Sequence, residues 1–169
     1  MSNMISQALL PEFDMEMANT RKVLVRVPEE RGAFAPHAKS MTLSRLAGHV
    51  AEMPLWAVMT LAQDELDMRP NGTAAFKAHE LTATADSLAF FDENLRQARA
   101  LLETATDDAM MRPWTLKDNG TSLMTLPKVA VVRSFVMNHM IHHRAQLTVY
   151  LRLIDVPIPG MYGPSADEH

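Results

Sequence analysis

The sequence predicts an all-α protein, a four-helix bundle. Three observations lead there. Four long segments repeat apolar residues at steps of three and four, the period of one helix face. The stretches between them carry the proline and glycine that end helices. No segment shows a strong alternating run of strand length. Such stripes are buried by packing helix on helix, and 169 residues suit a single domain, 1–169, around one core.

The first helix is expected at 11–27, where Phe13, Met17, Thr20, Leu24 and Val27 share a face. Pro11 would open it at the first helical position, with Ser2 to Leu10 as a short helical lead-in. Pro28 would close it, because a residue before proline is pushed out of the α region. After the polar connection EERGAFAPHAKSM, a second helix is expected at about 42–67, capped by Thr42 or Ser40. Its stripe is Leu43, Leu46, His49, Val50, Met53 and Ala57, and Pro54 predicts a kink near Val50. The third helix, about 83–105, carries Leu88, Phe91, Leu95, Ala98 and Leu102. The stretch 113–126 contains Asp118-Asn119-Gly120, a tight-turn signal, and reads as a short hairpin or an ordered loop. Pro127 starts a fourth helix that runs to about Asp155 without internal Pro or Gly. The connections are longer than minimal hairpins, so simple up-and-down order is not required.

Composition narrows the chemistry. Cysteine is absent, which removes disulfides and thiolate ligands; any metal must be held by His, Asp or Glu. Zero cysteine fits a reducing compartment, and the N-terminal stretch lacks the basic region of a secretory signal, so the expected location is cytoplasmic. No apolar run approaches the ~20 residues that cross a bilayer, so no membrane partner is expected. Sixteen Lys and Arg against twenty Asp and Glu give a net charge of −4 without a basic block, a poor match to nucleic acid. Fourteen Met suit an adaptable core or pocket wall.

The segment FVMNHMIHHRAQLTVYLRLI places three histidines inside five residues of an apolar helical run. Val129, Val132 and Val136 lead into its stripe, and Leu147, Leu151 and Ile154 lead out. The same steps land on His139, Met140 and His143, so those two imidazoles belong to the buried face. Four residues apart, they stack as neighbours and can share one metal. The glutamate that follows the first histidine of a zincin is missing. His142, about 100° away around the helix, is expected beside the site or at the surface. His49, on the inner stripe of the second helix, is the candidate third ligand. Three neutral imidazoles would leave a position for water or substrate. A hydrogen-bonded core role is the alternative for each histidine alone, but burying three without a shared partner costs about 1–3 kcal/mol for every unsatisfied group. Glu52 and Gln146 are candidates for fixing the tautomers of His49 and His143, and helix-surface polarity explains them equally well. His37, His79 and the terminal His169 read as solvated or capping residues, and Trp56 and Trp114 as core or pocket-wall residues. His142 and Arg144 are the nearest candidates for proton handling, although Arg144 reads better as a surface or structural ion pair. No catalytic residue can be named.

SMTLSRLAGHVAEMP, NHMIHHRAQLTVYLRL and VPIPGMYGPSADE together resemble the DinB-like proteins, the DinB/YfiT superfamily. The resemblance spans nearly the whole chain, and HHRAQLTVYLR followed by YGPSADE is its specific part. It implies a four-helix bundle with non-sequential packing, a tendency to homodimers, and a divalent metal, nickel or zinc, on His49, His139 and His143. Where the family usually has Gly in HHRGQ, this chain has Ala145. Some relatives are thiol-dependent transferases or isomerases using bacillithiol, mycothiol or glutathione. The resemblance therefore implies a metal-dependent S-transferase acting on a small electrophile, with a low-molecular-weight thiol as cosubstrate. A metal-dependent hydrolase, a non-catalytic metal- or small-molecule-binding stress-response protein, and a purely structural dimer remain as alternatives.

Overall fold

The computed structural model describes residues 2–168; His169 lies outside the described residues. Helix α1 spans Met4–Leu24, α2 Leu43–Ala51, α3 Met53–Ala62 and α4 Thr84–Thr104. A short α5, Asp107–Met111, precedes the hairpin β2 (Pro113–Asp118) and β3 (Thr121–Pro127). The last helix is continuous in three parts: α6 (Lys128–Ala130), a π-helical segment Val131–Met137, and α7 (Asn138–Leu153).

The bundle is not strictly all-α. Glu65–Asp67 forms a strand, β1, that pairs in parallel with β2, giving a three-stranded mixed sheet in the order β1-β2-β3. The hairpin turns at Asn119 and Gly120, both in the left-handed region at φ 49° and 78°, where asparagine and glycine are tolerated best. Trp114 and Leu116 point inward from β2 and form a small second core with Val131 of the π segment. A three-residue strand shows too little of the two-residue period to be seen in sequence, so the expected helix at 42–67 absorbed it.

Helix boundaries differ for identifiable reasons. Pro11 lies inside α1, not at its start. Its ring removes one N–H facing Gln7, but both residues are exposed, and Leu10, Phe13 and Met17 hold the helix to the core on either side. Asp107 caps the true start by accepting from the Ile5 N–H at 2.8 Å. Pro54 interrupts the second helix as expected: α2 ends and α3 begins at Glu52, which itself keeps helical dihedrals. Thr42 is the N-cap of α2, its hydroxyl accepting from the Arg45 N–H at 3.2 Å.

Helix α1 packs on α4 and α7, and the α2–α3 pair packs on the same two helices. The α2–α3 pair thus sits across the bundle from α1, and α7 across from α4, while α3 packs directly on its successor α4. Phe13, Met17, Val50, Phe91, Leu102, Val136, Met140 and Leu147 are fully buried between them. Among the described residues no helix is long and apolar enough to cross a membrane.

Arg144 makes a structural ion pair, one of the two expectations for it, in the interior and not at the surface, and its side chain points away from the clustered histidines. It is 1% exposed and faces α1, pairing with buried Glu16 at 2.7 Å and donating to the Thr20 hydroxyl at 3.1 Å. The nitrogen that pairs with Glu16 also donates to the Tyr162 hydroxyl at 2.6 Å, which in turn donates to the Glu16 carboxylate. The C-terminal segment is thereby clasped to α1 and α7. Asp167 reinforces the clasp through Arg152 and the Ile158 N–H, and Glu168 through the Gly160 N–H. The YGPSADE motif is thus a structural latch. Removing one partner of such a pair strands a buried charge. Arg144→Ala should cost about 3–5 kcal/mol in urea unfolding, whereas Arg144→Met with Glu16→Leu should recover most of that loss.

Candidate metal centre

The break at Glu52 and the unbroken run of α7 bring His49, His139 and His143 together. Their ring centroids stand 5.0 Å (His49 to His139), 4.6 Å (His49 to His143) and 4.6 Å (His139 to His143) apart. The Nε2 atoms converge. His139 Nε2 lies 3.3 Å from that of His49 and 2.9 Å from that of His143. Nitrogens bound about 2.0–2.1 Å from one cation stand roughly 2.9–3.4 Å apart at angles of about 90–109°, and both separations fall in that range. One ligand atom from each residue lies within 4.8 Å of the others, so the group can hold a metal ion.

The outer ring nitrogens explain why the inner ones attract a cation. His49 Nδ1 lies 3.0 Å from Glu52 Oε2, and His143 Nδ1 lies 2.7 Å from Gln146 Oε1. Both oxygens only accept, which favours the proton on Nδ1 of each ring; at His49 the Glu52 acceptor is nearer than the Arg45 donor that lies 3.4 Å from the same nitrogen. The His139 ring bonds the Phe135 carbonyl, and its Nε2 already faces the other rings, so its proton also sits on Nδ1. Three unprotonated Nε2 atoms are left facing one another. Their lone pairs repel unless a cation or proton sits between them. The chemistry of the donor set therefore fits a divalent metal that accepts neutral imidazole.

Electrostatics favour the neutral ligands. Partial burial, and then the neighbouring histidines, pull His143 down to about 4, the Gln146 bond only partly opposing this. Burial and the proximity of His49 pull His139 down as well. Burial alone would raise Glu52, but its bonds from His49, the His79 N–H and Arg45 together hold it below the usual carboxylate range. Glu52 is thus a charged, buried acceptor with three partners.

That arrangement depends on contacts the sequence does not announce. The Glu52 carboxylate reaches the backbone N–H of His79, and Arg45 spans from Glu52 Oε2 at 3.2 Å to the His79 carbonyl at 2.9 Å. The segment around His79 lies flat on α2 at Gly48, where a Cβ would come within 2.2 Å of the His79 carbonyl oxygen. Only glycine allows that approach. Arg45, four residues before His49 and seven before Glu52, shares their helix face and was legible in principle. The part played by the His79 backbone carries no such signal.

Among the described residues the other histidines stay outside the cluster. His142 is exposed, its ring 4.9 Å from that of His143. His79 is half-buried, stacked on Phe90 at 4.3 Å, with Nε2 3.0 Å from the Ser87 hydroxyl. His37 Nδ1 accepts from the Lys39 N–H in a local turn. Trp114 is core, while half-buried Trp56 belongs to the aromatic surroundings of His139.

With this geometry in view, comparison with known proteins is informative. The family model for the DinB family matches residues 1–169. The chain belongs to the DinB family. It is 24% identical over 162 residues to the uncharacterized protein YrdA of Bacillus subtilis (strain 168), covering 94% of this chain and 89% of that protein. In fold it is similar to the crystal structure of a DinB-like protein from Bacillus cereus ATCC 10987, with a TM-score of 0.69 at 18% identity, covering 92% of this chain and 97% of that one. It is also similar to the DinB-like protein YjoA of Bacillus subtilis, with a TM-score of 0.65 at 15% identity, covering 92% and 99%.

In the metal-free DinB-family chain, folded His143 binds a proton less readily than unfolded His143. Between pH about 4 and the ordinary histidine value of 6.5, the unfolded state holds the extra proton. This contribution to stability should be complete above that window, and it should be lost as pH falls through the folded value. Urea midpoints measured with chelator present should therefore rise with pH across the window, and less steeply in His143→Asn.

Proposed function

We propose that this protein is a divalent-metal-dependent enzyme that transfers a low-molecular-weight thiol to a small electrophile, with nickel or zinc held by Nε2 of His49, His139 and His143. The convergence of three Nε2 atoms whose outer nitrogens already donate is the observation that carries this reading. A divalent cation with an open position supplies Lewis acidity, which lowers the pKa of a coordinated thiol or water. The chain's own residues hold the geometry. Glu52, the Phe135 carbonyl and Gln146 fix the three rings in one tautomer, and Arg45 keeps Glu52 charged and aimed. Membership of a family whose relatives include thiol-dependent enzymes supports the transferase reading over hydrolysis.

Protein purified without a histidine tag should retain about one divalent metal per chain by mass spectrometry of the elements. His49→Ala and His143→Ala should lose it, and Glu52→Ala should weaken it about 10–100-fold. The loaded protein should consume bacillithiol, mycothiol or glutathione in the presence of an epoxide, and stop when the metal is removed. Bound metal with no thiol turnover would overturn the transferase reading in favour of hydrolysis or binding alone.

The proposal includes a homodimer. Ala145, Val149 and Leu153 stand four residues apart in a line along α7, and the last two are each 57% exposed, an exposed apolar ridge. Light scattering should give twice the chain mass, and Val149→Glu should reduce it to one.

A further inference from the structure

The surroundings of the three histidines are unlike at their two ends. Along the last helix, Tyr150, Gln146, His143, His139 and Phe135 follow one another at steps of three or four, so they share a face. Opposite them, Leu46, His49 and Trp56 run the other way along α2 and α3. The site is therefore the middle of a line, with Tyr150 and Leu46 at one end and Phe135 and Trp56 at the other.

The first end is a cavity of about 260 Å³ whose lining includes Lys39, Ser40, Met41, Gln146 and Tyr150, with His143 as a wall. No carboxylate lines it. The loop that carries Lys39 is pinned: Lys39 N–H donates to His37 Nδ1 at 3.1 Å, Ser40 N–H to the His37 carbonyl at 2.9 Å, and Tyr150 OH to the Met41 carbonyl at 3.2 Å. Among the described residues the Lys39 ammonium has no ion-pair or hydrogen-bond partner. Lys39 is solvent-exposed, and what sets it apart is its held loop and its place in the wall of a cavity that reaches His143. The second end is aromatic. Phe135 stands 5.6 Å from the His139 ring, Trp56 5.5 Å from Phe135, and Phe76 5.7 Å from Trp56. All three are only half-buried, so they keep ring surface for a ligand.

Building on the proposed metal centre, we propose that its substrate is an apolar carboxylate, with its anionic group held by Lys39 and Ser40 and its aryl or alkyl body lying across the imidazoles onto Phe135, Trp56 and Phe76. Lys39 sets selectivity for charge, and the three aromatic residues set selectivity for the apolar body. A carboxylate accepts the charge-assisted bond that an alcohol of the same shape cannot make as strongly.

The test compares phenylbutanoate with phenylbutanol on the zinc-loaded full chain by calorimetry, with Trp56 fluorescence as a local readout; Trp56→Phe assigns the signal, since Trp114 is fully buried. The acid should bind about tenfold more tightly than the alcohol. Lys39→Ala and Lys39→Gln should both erase that preference while leaving the alcohol unchanged. Phe76→Ala should weaken both ligands several-fold without changing zinc content. Equal binding of acid and alcohol to the native chain overturns the inference. So does an acid preference that survives both Lys39 substitutions, because the carboxylate is then held by the cation. Zinc content in the same samples judges the metal centre separately. If neither zinc nor nickel is retained, the proposed function fails, and the acid-alcohol comparison on the metal-free chain still decides the role of Lys39.

Discussion

Three imidazole nitrogens facing one another, each with its proton turned outward, form the constraint around which this molecule is arranged. Neutral nitrogens 2.9 and 3.3 Å apart have no hydrogen to share once Glu52, Gln146 and the Phe135 carbonyl have claimed the outer ones. The rings cannot relax apart freely. Two are anchored one turn apart on α7, and the third is held by a carboxylate with three partners of its own. A cation between them would use all three lone pairs. Protonation is a poor substitute, since partial burial and the adjacent rings disfavour charge on His139 and His143.

The architecture can be followed outward from that constraint. Glu52 sits where Pro54 prevents one helix from continuing, so the backbone break and the carboxylate that orients His49 are the same feature. Glu52 also draws in the His79 backbone, and Gly48 gives that segment room. On another face of α7, Arg144 and Glu16 clasp α1 and the C-terminal segment. Adjacent residues His143 and Arg144, about 100° apart around α7, thus serve different neighbours, one the cluster and one an ion pair. The pair resists rotation of α7 about its axis, and that rotation decides where His139 and His143 point.

Much of this was legible in the sequence because it is written in periods of three and four. The stripe through Val132, Val136, Met140, Leu147 and Leu151 is buried as its spacing implies, and the same spacing put His139 and His143 on the inner face and His142 outside. Glu52 and Gln146 fell one turn from the rings they contact. What stayed hidden depends on pairing between distant segments. Strand β1 exists because β2 offers it a partner, and three residues alone carry no alternation. Pro11 stays inside α1 because its cost falls on an exposed face while tertiary packing holds both sides. The depth of Arg144 was unreadable because its partner lies 128 residues away along the chain.

The π-helical segment bears on how much of the site is fixed by local sequence. Val131–Met137 departs from the α repeat just before His139, yet Val132, Val136 and Met140 remain buried in register on either side of the change. Wider turns of this kind concentrate at functional sites because they re-aim side chains without breaking a helix. Here the segment places the Phe135 ring 5.6 Å from that of His139 while the Phe135 carbonyl accepts a hydrogen bond from the His139 ring. Val131 in the same segment packs against Trp114 of the sheet. The small sheet is therefore more than an ornament on a helical bundle. It supports the one stretch of the last helix whose geometry is irregular, and that stretch supplies both an aromatic neighbour and a tautomer-fixing acceptor to the central histidine of the three.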